Sequence, residues 1–568
     1  MFPPNFTVVL ISENQLIFSV KSPIQSEQTY FMKKKLHLIA LTTFLGMNAQ
    51  AQFNMTAQNW TVPTLAQYAD DIDQVNGGNY SLVDINGDGF PDLVDAQDNV
   101  TYDVWLNGNS PYWKVYLGNG SSFSTTAQNW PIPLLENYAN GLNTVNAGSY
   151  SLVDINGDGK PDLVDAQDNN SGVVWLGTGG LGYWKVYLNN GTSFSTTAQN
   201  WTIPTMESYA EELDQVNGLN YSLVDINGDG KPDLVDAQDN NSGVVWLGTG
   251  GLGYWKVYLN NGSSFSTTAQ NWTIPTMESY AEELDQISGQ NYSLVDINGD
   301  GKPDLVDAQD NNSGVVWLGT GGLGYWKVYL NNGTSFSTTA QNWTIPTMEN
   351  YAEELDQISG QNYSLLDMNG DGTLDLVDAQ DNSSGVVWLG TGSVPYWKVY
   401  PNSGSAFSTT AQSWTIPVVE TYVDDLDQVN GANYTIVDMN GDRKPDMVDA
   451  QNNASGVVWL GAGNVPYWKV YLNTTVSPYL GIENPEMGTL VQLNVYPNPT
   501  TGTISINLSD LENENQVRIS NSAGVVIYDK AITEQVLFNF DLSEYQSGLY
   551  FITVTNSNQV YNAKVIKE

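Results

Sequence analysis

One motif recurs through most of this chain at a nearly constant interval, and that interval limits what the chain can fold into. Asp-Ile-Asn-Gly-Asp-Gly begins at Asp84, and counterparts begin at Asp154, Asp225, Asp296, Asp367 and Asp438, spaced 70, 71, 71, 71 and 71 residues apart. Such a period marks supersecondary units that bury their apolar faces only by stacking on one another. Each unit carries three tryptophans: one after Ala-Gln-Asn or Ala-Gln-Ser (Trp201 in one unit), one in Val-Trp-Leu (Trp246) and one in Tyr-Trp-Lys-Val-Tyr (Trp255). Six units of three account for all 18 tryptophans.

Within a unit the pattern is that of short strands. Tyr221–Asp225 leads into a tight Asn/Gly/Asp turn; Asp233–Ala237, Gly243–Leu247 and Tyr254–Leu259 follow, and Asn260-Asn261-Gly262 signals a turn. Ser264–Ile274, rich in threonine and aromatics, suits a strand. Met277–Leu284 places Met277, Tyr280 and Leu284 on one helical face after a capping Thr276, which predicts one or two helical turns. Four or more strands per unit fit a propeller blade or a solenoid coil. The last unit ends at Asn473 without its Phe-Ser-Thr-Thr-Ala-Gln-Asn-Trp strand, and that strand stands at the other end as Phe53–Trp60. A circular shift of this kind closes a ring and removes an exposed edge, whereas an open solenoid needs polar caps instead. The expected fold is all-β: a closed propeller of six blades over residues 52–478, a linker over 479–493 and a small β-sandwich over 494–568.

Composition narrows the function. The 568 residues carry 19 basic and 62 acidic side chains, a net charge of −43, which argues against a nucleic-acid partner. Cysteine is absent, so thiol chemistry and disulfides are excluded. Residues 1–51 are read as an N-terminal extension and signal peptide. Met32 is followed by Lys33, Lys34 and Lys35, an apolar run over Leu36–Leu45 and small residues in Ala49-Gln50-Ala51, which together form a secretory signal over 32–51. The run is too short to span a bilayer. Cleavage removes His37, the lone histidine, and leaves 15 basic and 60 acidic residues. No transmembrane segment is expected in the mature chain.

The Asp225–Asp236 loop carries the clearest chemistry. Oxygen side chains fall at positions 1, 3, 5, 9 and 12, with glycine at 6 for the sharp turn, and position 7 can add its carbonyl. Four carboxylates on one tight loop would repel each other without a cation. Many oxygen ligands on a flexible loop favour Ca2+ over Mg2+. Extracellular sites of roughly 0.1–1 mM affinity would each add about 0.4–1.4 kcal/mol at ~1 mM calcium, so a structural ion in each blade is expected. The sixth loop has Arg443 at position 6 and should bind most weakly.

Asp-x-Asn-Gly-Asp-Gly-x-x-Asp-Leu-Val followed by Val-Tyr-Leu-Asn-Asn-Gly resembles the FG-GAP/VCBS family of calcium-loop propeller repeats over residues 53–473. The resemblance implies metal ligands at positions 1, 3, 5, 7 and 9. In the first loop these are Asp84, Asn86, Asp88, Phe90 and Asp92. In the second they are Asp154, Asn156, Asp158, Lys160 and Asp162, and in the third Asp225, Asn227, Asp229, Lys231 and Asp233. The fourth supplies Asp296, Asn298, Asp300, Lys302 and Asp304, the fifth Asp367, Asn369, Asp371, Thr373 and Asp375, and the sixth Asp438, Asn440, Asp442, Lys444 and Asp446. The resemblance leaves position 12 less certain. Residues 494–568, from Asn494-Val495-Tyr496-Pro497-Asn498-Pro499 to Gly548-Leu549-Tyr550 and the Lys564–Glu568 end, resemble the type A C-terminal sorting domain of the type IX secretion system in Bacteroidetes. That implies export through this machinery and a secreted or outer-membrane-attached product.

For function, the sequence favours a non-catalytic binding protein, an adhesin or a carbohydrate-binding lectin-like protein with an extracellular glycan or surface protein as partner. Near-identical units repeat the same surface, which suits multivalency. Aromatic rings beside Gly-Thr-Gly-Gly-Leu-Gly could stack on sugars, although such rings more often pack in cores. A structural surface or toxin-scaffold role is the alternative. A polysaccharide-degrading enzyme is disfavoured, because the mature repeats have no histidine and one arginine. The acidic stretch at Glu207, Glu211, Glu212 and Asp214 reads as a solvated face.

Overall fold

The computed structural model describes the backbone of residues 6–12 and 15–20, most of 53–475 and the strands within 495–567. The segments joining successive repeats are largely outside the described residues: 64–70, 134–140, 205–212, 276–283, 347–354 and 419–424, with shorter stretches nearby. The predicted signal peptide, all but Leu284 of the predicted helical turns at Met277–Leu284, and Glu207, Glu211 and Glu212 also fall outside them. The chain divides into two compact units, 1–478 and 479–568. Ahead of the repeats, Phe6–Ser12 pairs antiparallel with Gln15–Val20, a hairpin the sequence reading did not expect.

Among the described residues the repeats are all-β, with only three-residue 3-10 turns such as Asp71–Asp73 and Asp425–Asp427. They form six sheets of six strands. In the third, the strands are Tyr221–Val224, Asp233–Asp236, Gln238–Asp239, Val244–Leu247, Gly253–Tyr258 and Gln270–Thr273. The first pairs the second, the second pairs the fifth, and the fifth also holds the fourth and sixth. Gly253–Tyr258 is thus the spine of the sheet. Its Lys256 lies opposite Asp236, its Tyr254 opposite Trp246 and its Trp255 opposite Trp272. Ser264–Ile274 was expected to be one long strand. Only Gln270–Thr273 forms a strand, with Phe265 making a lone bridge to Asn260, because the Ser266 hydroxyl donates to the Thr268 carbonyl and turns the chain.

The same order holds in the sixth sheet, but its sixth strand is Gln58–Thr61 from the N-terminal end, paired with Pro466–Tyr471. Phe53 bridges Asn473, and the Asn54 N–H donates to the Leu472 carbonyl at 2.7 Å. The circular shift read from the sequence is therefore a real pairing.

Apolar side chains gather between neighbouring sheets. Phe265, from the third repeat, packs edge-on against Trp184 (5.8 Å) and Trp201 (6.5 Å) of the second sheet. At the two ends of the chain, Phe53 packs against Trp397 and Trp414 of the fifth sheet, and Phe123 against Trp60 and Trp468 of the sixth. One buried cluster accordingly joins the sixth sheet to the first, through Trp468, Met439, Leu93 and Phe123.

The second unit has a three-stranded sheet of Val495–Tyr496, Thr503–Asn507 and Leu537–Asp541, and a four-stranded sheet of Glu514–Asn521, Val526–Thr533, Gly548–Thr555 and Val560–Lys567. Ile504, Phe538, Ile519 and Ile552 from the two sheets share one core.

Candidate functional site: the aspartate loops

Each loop joins the first two strands of its sheet and is wound tightly by two left-handed residues, both glycine in the first five loops (Gly228, φ +76°, and Gly230, φ +84°, in the third) and Gly441 and Arg443 in the sixth. A side chain on the first of these could not fit. A Cβ on Gly87 would come within 2.9 Å of the Gly159 carbonyl oxygen in the neighbouring loop. The winding aims amide N–H groups at the position-1 carboxylate. Asp84 Oδ1 accepts from Gly87 (2.8 Å) and Asp88 (3.0 Å), and its Oδ2 accepts from Gly89 (2.8 Å). Asp154, Asp225, Asp296, Asp367 and Asp438 repeat the pattern, for example Gly228 to Asp225 at 2.9 Å.

The position-5 carboxylate accepts the position-7 amide, as in Lys160 N–H to Asp158 Oδ1 at 3.0 Å. Position-7 side chains add to this. Lys160, Lys231, Lys302 and Lys444 lie 3.6, 3.4, 3.2 and 3.0 Å from Asp158, Asp229, Asp300 and Asp442, and the Thr373 hydroxyl donates to Asp371 at 2.5 Å. From sequence alone, position 7 is credited only with its carbonyl. At position 3, Asn86 bonds Asp88 from both ends of its amide, whereas Asn227 and Asn369 each keep a buried carbonyl oxygen with no hydrogen-bond partner.

Position 9 is the buried member. Asp92, Asp162, Asp233, Asp304, Asp375 and Asp446 are all 0% exposed. One oxygen accepts a neighbouring amide, as Asp162 Oδ1 does from Asn189 N–H at 2.8 Å. The other oxygen of Asp162, Asp233 and Asp304 has no partner. Burial, followed by repulsion from the position-5 and position-1 carboxylates, pushes Asp162, Asp233 and Asp304 up to about 7. Asp92, Asp375 and Asp446 are likewise held at about 7, with burial the largest cause.

Among the described residues no three acidic side chains are gathered into a ready-made metal cluster, since positions 1 and 5 are turned onto loop amides. The donor set nonetheless suits a hard cation. It consists of oxygen ligands only, and in the third loop both the Asp233 carboxylate and the Asn227 amide keep a buried oxygen with no hydrogen-bond donor, which a cation would satisfy.

Position 12 belongs elsewhere. Asp95 ends its strand opposite Lys114 rather than joining the loop. Lys114 Nζ lies 3.1 Å from the centre of the Trp105 ring, and the same arrangement recurs at Lys185 on Trp175, Lys256 on Trp246, Lys327 on Trp317, Lys398 on Trp388 and Lys469 on Trp459. Burial pushes Asp95 up to about 7 and Lys114 down.

Apart from Trp105, which is half-buried under the Lys114 ammonium, the tryptophans do not offer sugar-stacking faces. Twelve are fully buried, and Trp175, Trp246, Trp317, Trp388 and Trp459 are no more than 7% exposed. What the loops beside them do expose is aliphatic: Leu176 and Leu181, Leu247 and Leu252, Leu318 and Leu323 are each at least 50% exposed. Asp214, read as part of a solvated face, is buried and accepts the Gln167 amide at 2.6 Å.

Comparison with known proteins agrees with this architecture. Residues 154–235 and 225–306 match the FG-GAP-like repeat family, and residues 494–568 match the secretion system C-terminal sorting domain. The chain thus carries FG-GAP-like repeats and a type IX secretion sorting domain, and it is a secreted or cell-surface protein. The sorting domain ties it to the secretion machinery. Among the described residues no helix is long and apolar enough to cross a membrane. An ulvan lyase of Nonlabens ulvanivorans is 35% identical over 78 residues, which is 14% of each chain. A T-cell immunomodulatory protein homolog of Plasmodium yoelii yoelii is 24% identical over 238 residues, covering 40% of this chain and 29% of that protein. The chain therefore spans less than a third of either relative.

Proposed function

We propose that residues 52–478 close into a six-bladed, calcium-stabilised β-propeller that works as a non-catalytic binding protein, an adhesin or lectin-like module displayed at the cell surface or released from it. Closure is supported by the cluster that joins the sixth sheet to the first and by the N-terminal strand on Pro466–Tyr471. Calcium is supported by the buried, partnerless oxygens of Asp162, Asp233 and Asp304. The cation would be held by positions 1, 3, 5 and 9 with the position-7 carbonyl, and it would supply charge balance and rigidity.

The observation that carries binding is repetition. Six near-identical units present one exposed loop after another, and weak contacts repeated on one rigid body gain strongly in avidity. With every indole but Trp105 buried, contact is assigned to the loop edges around Leu176 and Leu181 and their counterparts. The test is binding of the exported protein to a glycan array and to intact cell surfaces, with and without chelator. Calcium-dependent retention on either is expected. Absence from both, with an intact fold, would remove the binding role and leave the scaffold reading.

The stretch shared with an ulvan lyase motivates an enzymatic alternative, but it is about the length of one repeat or of the sorting domain. The mature repeats also lack histidine and hold a single arginine, Arg443. Incubation with ulvan is expected to leave the polymer uncleaved, and cleavage would reinstate the enzyme.

A further inference from the structure

Consecutive aspartate loops are joined by one buried side chain. Asn189, which follows Val-Tyr-Leu in the second repeat, donates its amide N–H groups to the carbonyl of Ile85 in the first loop (2.7 Å) and of Pro161 in the second (2.9 Å). Its own backbone N–H donates to Asp162 Oδ1 (2.8 Å), the buried position-9 carboxylate of the second loop. Its side-chain oxygen is used as well, accepting the Gly191 N–H at 2.9 Å. One residue therefore grips position 2 of one loop, between that loop's position-1 and position-3 oxygens, while orienting the deepest carboxylate of the next. Asn260 does the same between loops two and three, Asn331 between three and four, and Asn402 between four and five. Asn473 reaches Met368 of the fifth loop at 2.8 Å and holds Asp446 of the sixth at 2.7 Å.

The series breaks once. The first repeat has Gly118 in place of the asparagine. It keeps the backbone bond to Asp92 (2.8 Å) but has no side chain to reach the sixth loop. Nor could it carry one, since a Cβ there would lie 2.2 Å from the Pro91 carbonyl oxygen. Among the described residues the Phe90 ring lies against Gly441 at that junction instead.

We propose that these five asparagines are positioning residues that couple the six cation loops into one linear array, running from the first loop to the sixth and open between the sixth and the first. The inference rests on the calcium reading above. A cation that draws in the position-9 carboxylate of one loop pulls on the backbone N–H of its asparagine. The asparagine amide then fixes the preceding loop in its bound shape, so the second ion meets a site whose ordering cost is already met.

The test is a calcium titration of the full exported protein with a competing calcium-sensitive dye, alongside Asn260→Gly, the residue that nature already uses at Gly118. The unaltered protein should bind calcium with a Hill coefficient above 1. Asn260→Gly should divide the array into loops one and two and loops three to six, lower the Hill coefficient, and weaken the loops on either side of the cut by about 5-fold. Asn402→Gly should move the division to between loops four and five. A purely structural asparagine would change the melting temperature without changing the steepness of binding. Calcium bound with a Hill coefficient of 1 by the unaltered protein would overturn the coupling and leave the calcium reading intact, even if both variants failed to fold. No calcium bound by the unaltered protein would overturn the calcium reading itself.

Discussion

Arg443 sits at position 6 of the sixth loop with a φ of +66°, a conformation glycine occupies in the other five loops. A side chain held in the left-handed region costs roughly 1–2 kcal/mol. Its backbone N–H still donates to Asp438 Oδ2 at 2.7 Å, so the loop keeps its winding under strain. Arg443→Gly is expected to stabilise the protein by about 1 kcal/mol and to tighten calcium at the sixth loop, read from the denaturant midpoint and from calcium binding. A lowered midpoint would show that the arginine makes a contact worth more than the strain.

The position-9 aspartates set a pH dependence for the calcium-free protein. Each has a folded pKa raised by burial from 3.8 to about 7. Between those values the folded state binds more protons than the unfolded state. Their contribution is therefore full below about pH 4 and is lost as pH rises through about 7. In chelator the melting temperature should fall between pH 5 and pH 8, and calcium should flatten that fall by favouring the ionised carboxylates. A chelated protein that melts higher at pH 8 than at pH 5 would contradict the assignment.

At the scale of the element, the Phe that follows each Asn-Gly turn is the peg between sheets. Phe265 against Trp184 and Trp201 recurs as Phe123 against Trp468 and Trp60. Phe265→Ala should cost about 3–5 kcal/mol, as a buried aromatic does. Phe123→Ala should cost the same if the junction between the sixth and first sheets is closed in solution, and much less if it is open. Urea unfolding of the two variants side by side distinguishes these outcomes.

The repeat, the strand pairs and the displaced N-terminal strand were legible because period, alternation and turn residues are local. Lys256 over Trp246 was not. Each lies on a different strand, and only the register that sets Tyr254 opposite Trp246 brings them together. The two-residue strand Gln238–Asp239 escaped notice because it is too short for any period to show. Asn260 read as a turn residue, and its role between loops depends on a contact with Ile155, 105 positions away. The one available signal was the lone Gly118 in a series of asparagines.

For the whole molecule, the acidic composition and the six loops are one matter. Of the 60 acidic residues expected after signal removal, 18 are aspartates at positions 1, 5 and 9 of the six loops. Six divalent ions would offset 12 charges and bring the net from −45 to about −33. The loops lie at the same end of each sheet and touch their neighbours around the series, as Gly87 does Lys160 and Gly441 does Phe90. Charge repulsion in the cation-free protein is therefore shared by the whole assembly. Six sites contributing about 0.4–1.4 kcal/mol each at ~1 mM calcium sum to about 2–9 kcal/mol, comparable with a domain's whole stability.

The most direct test is thermal unfolding of the exported protein at pH 7.5 in ~1 mM calcium and again in excess chelator. The account predicts a fall of at least about 5 °C on chelation, restored by added calcium. Superimposable melts in the two conditions would contradict it.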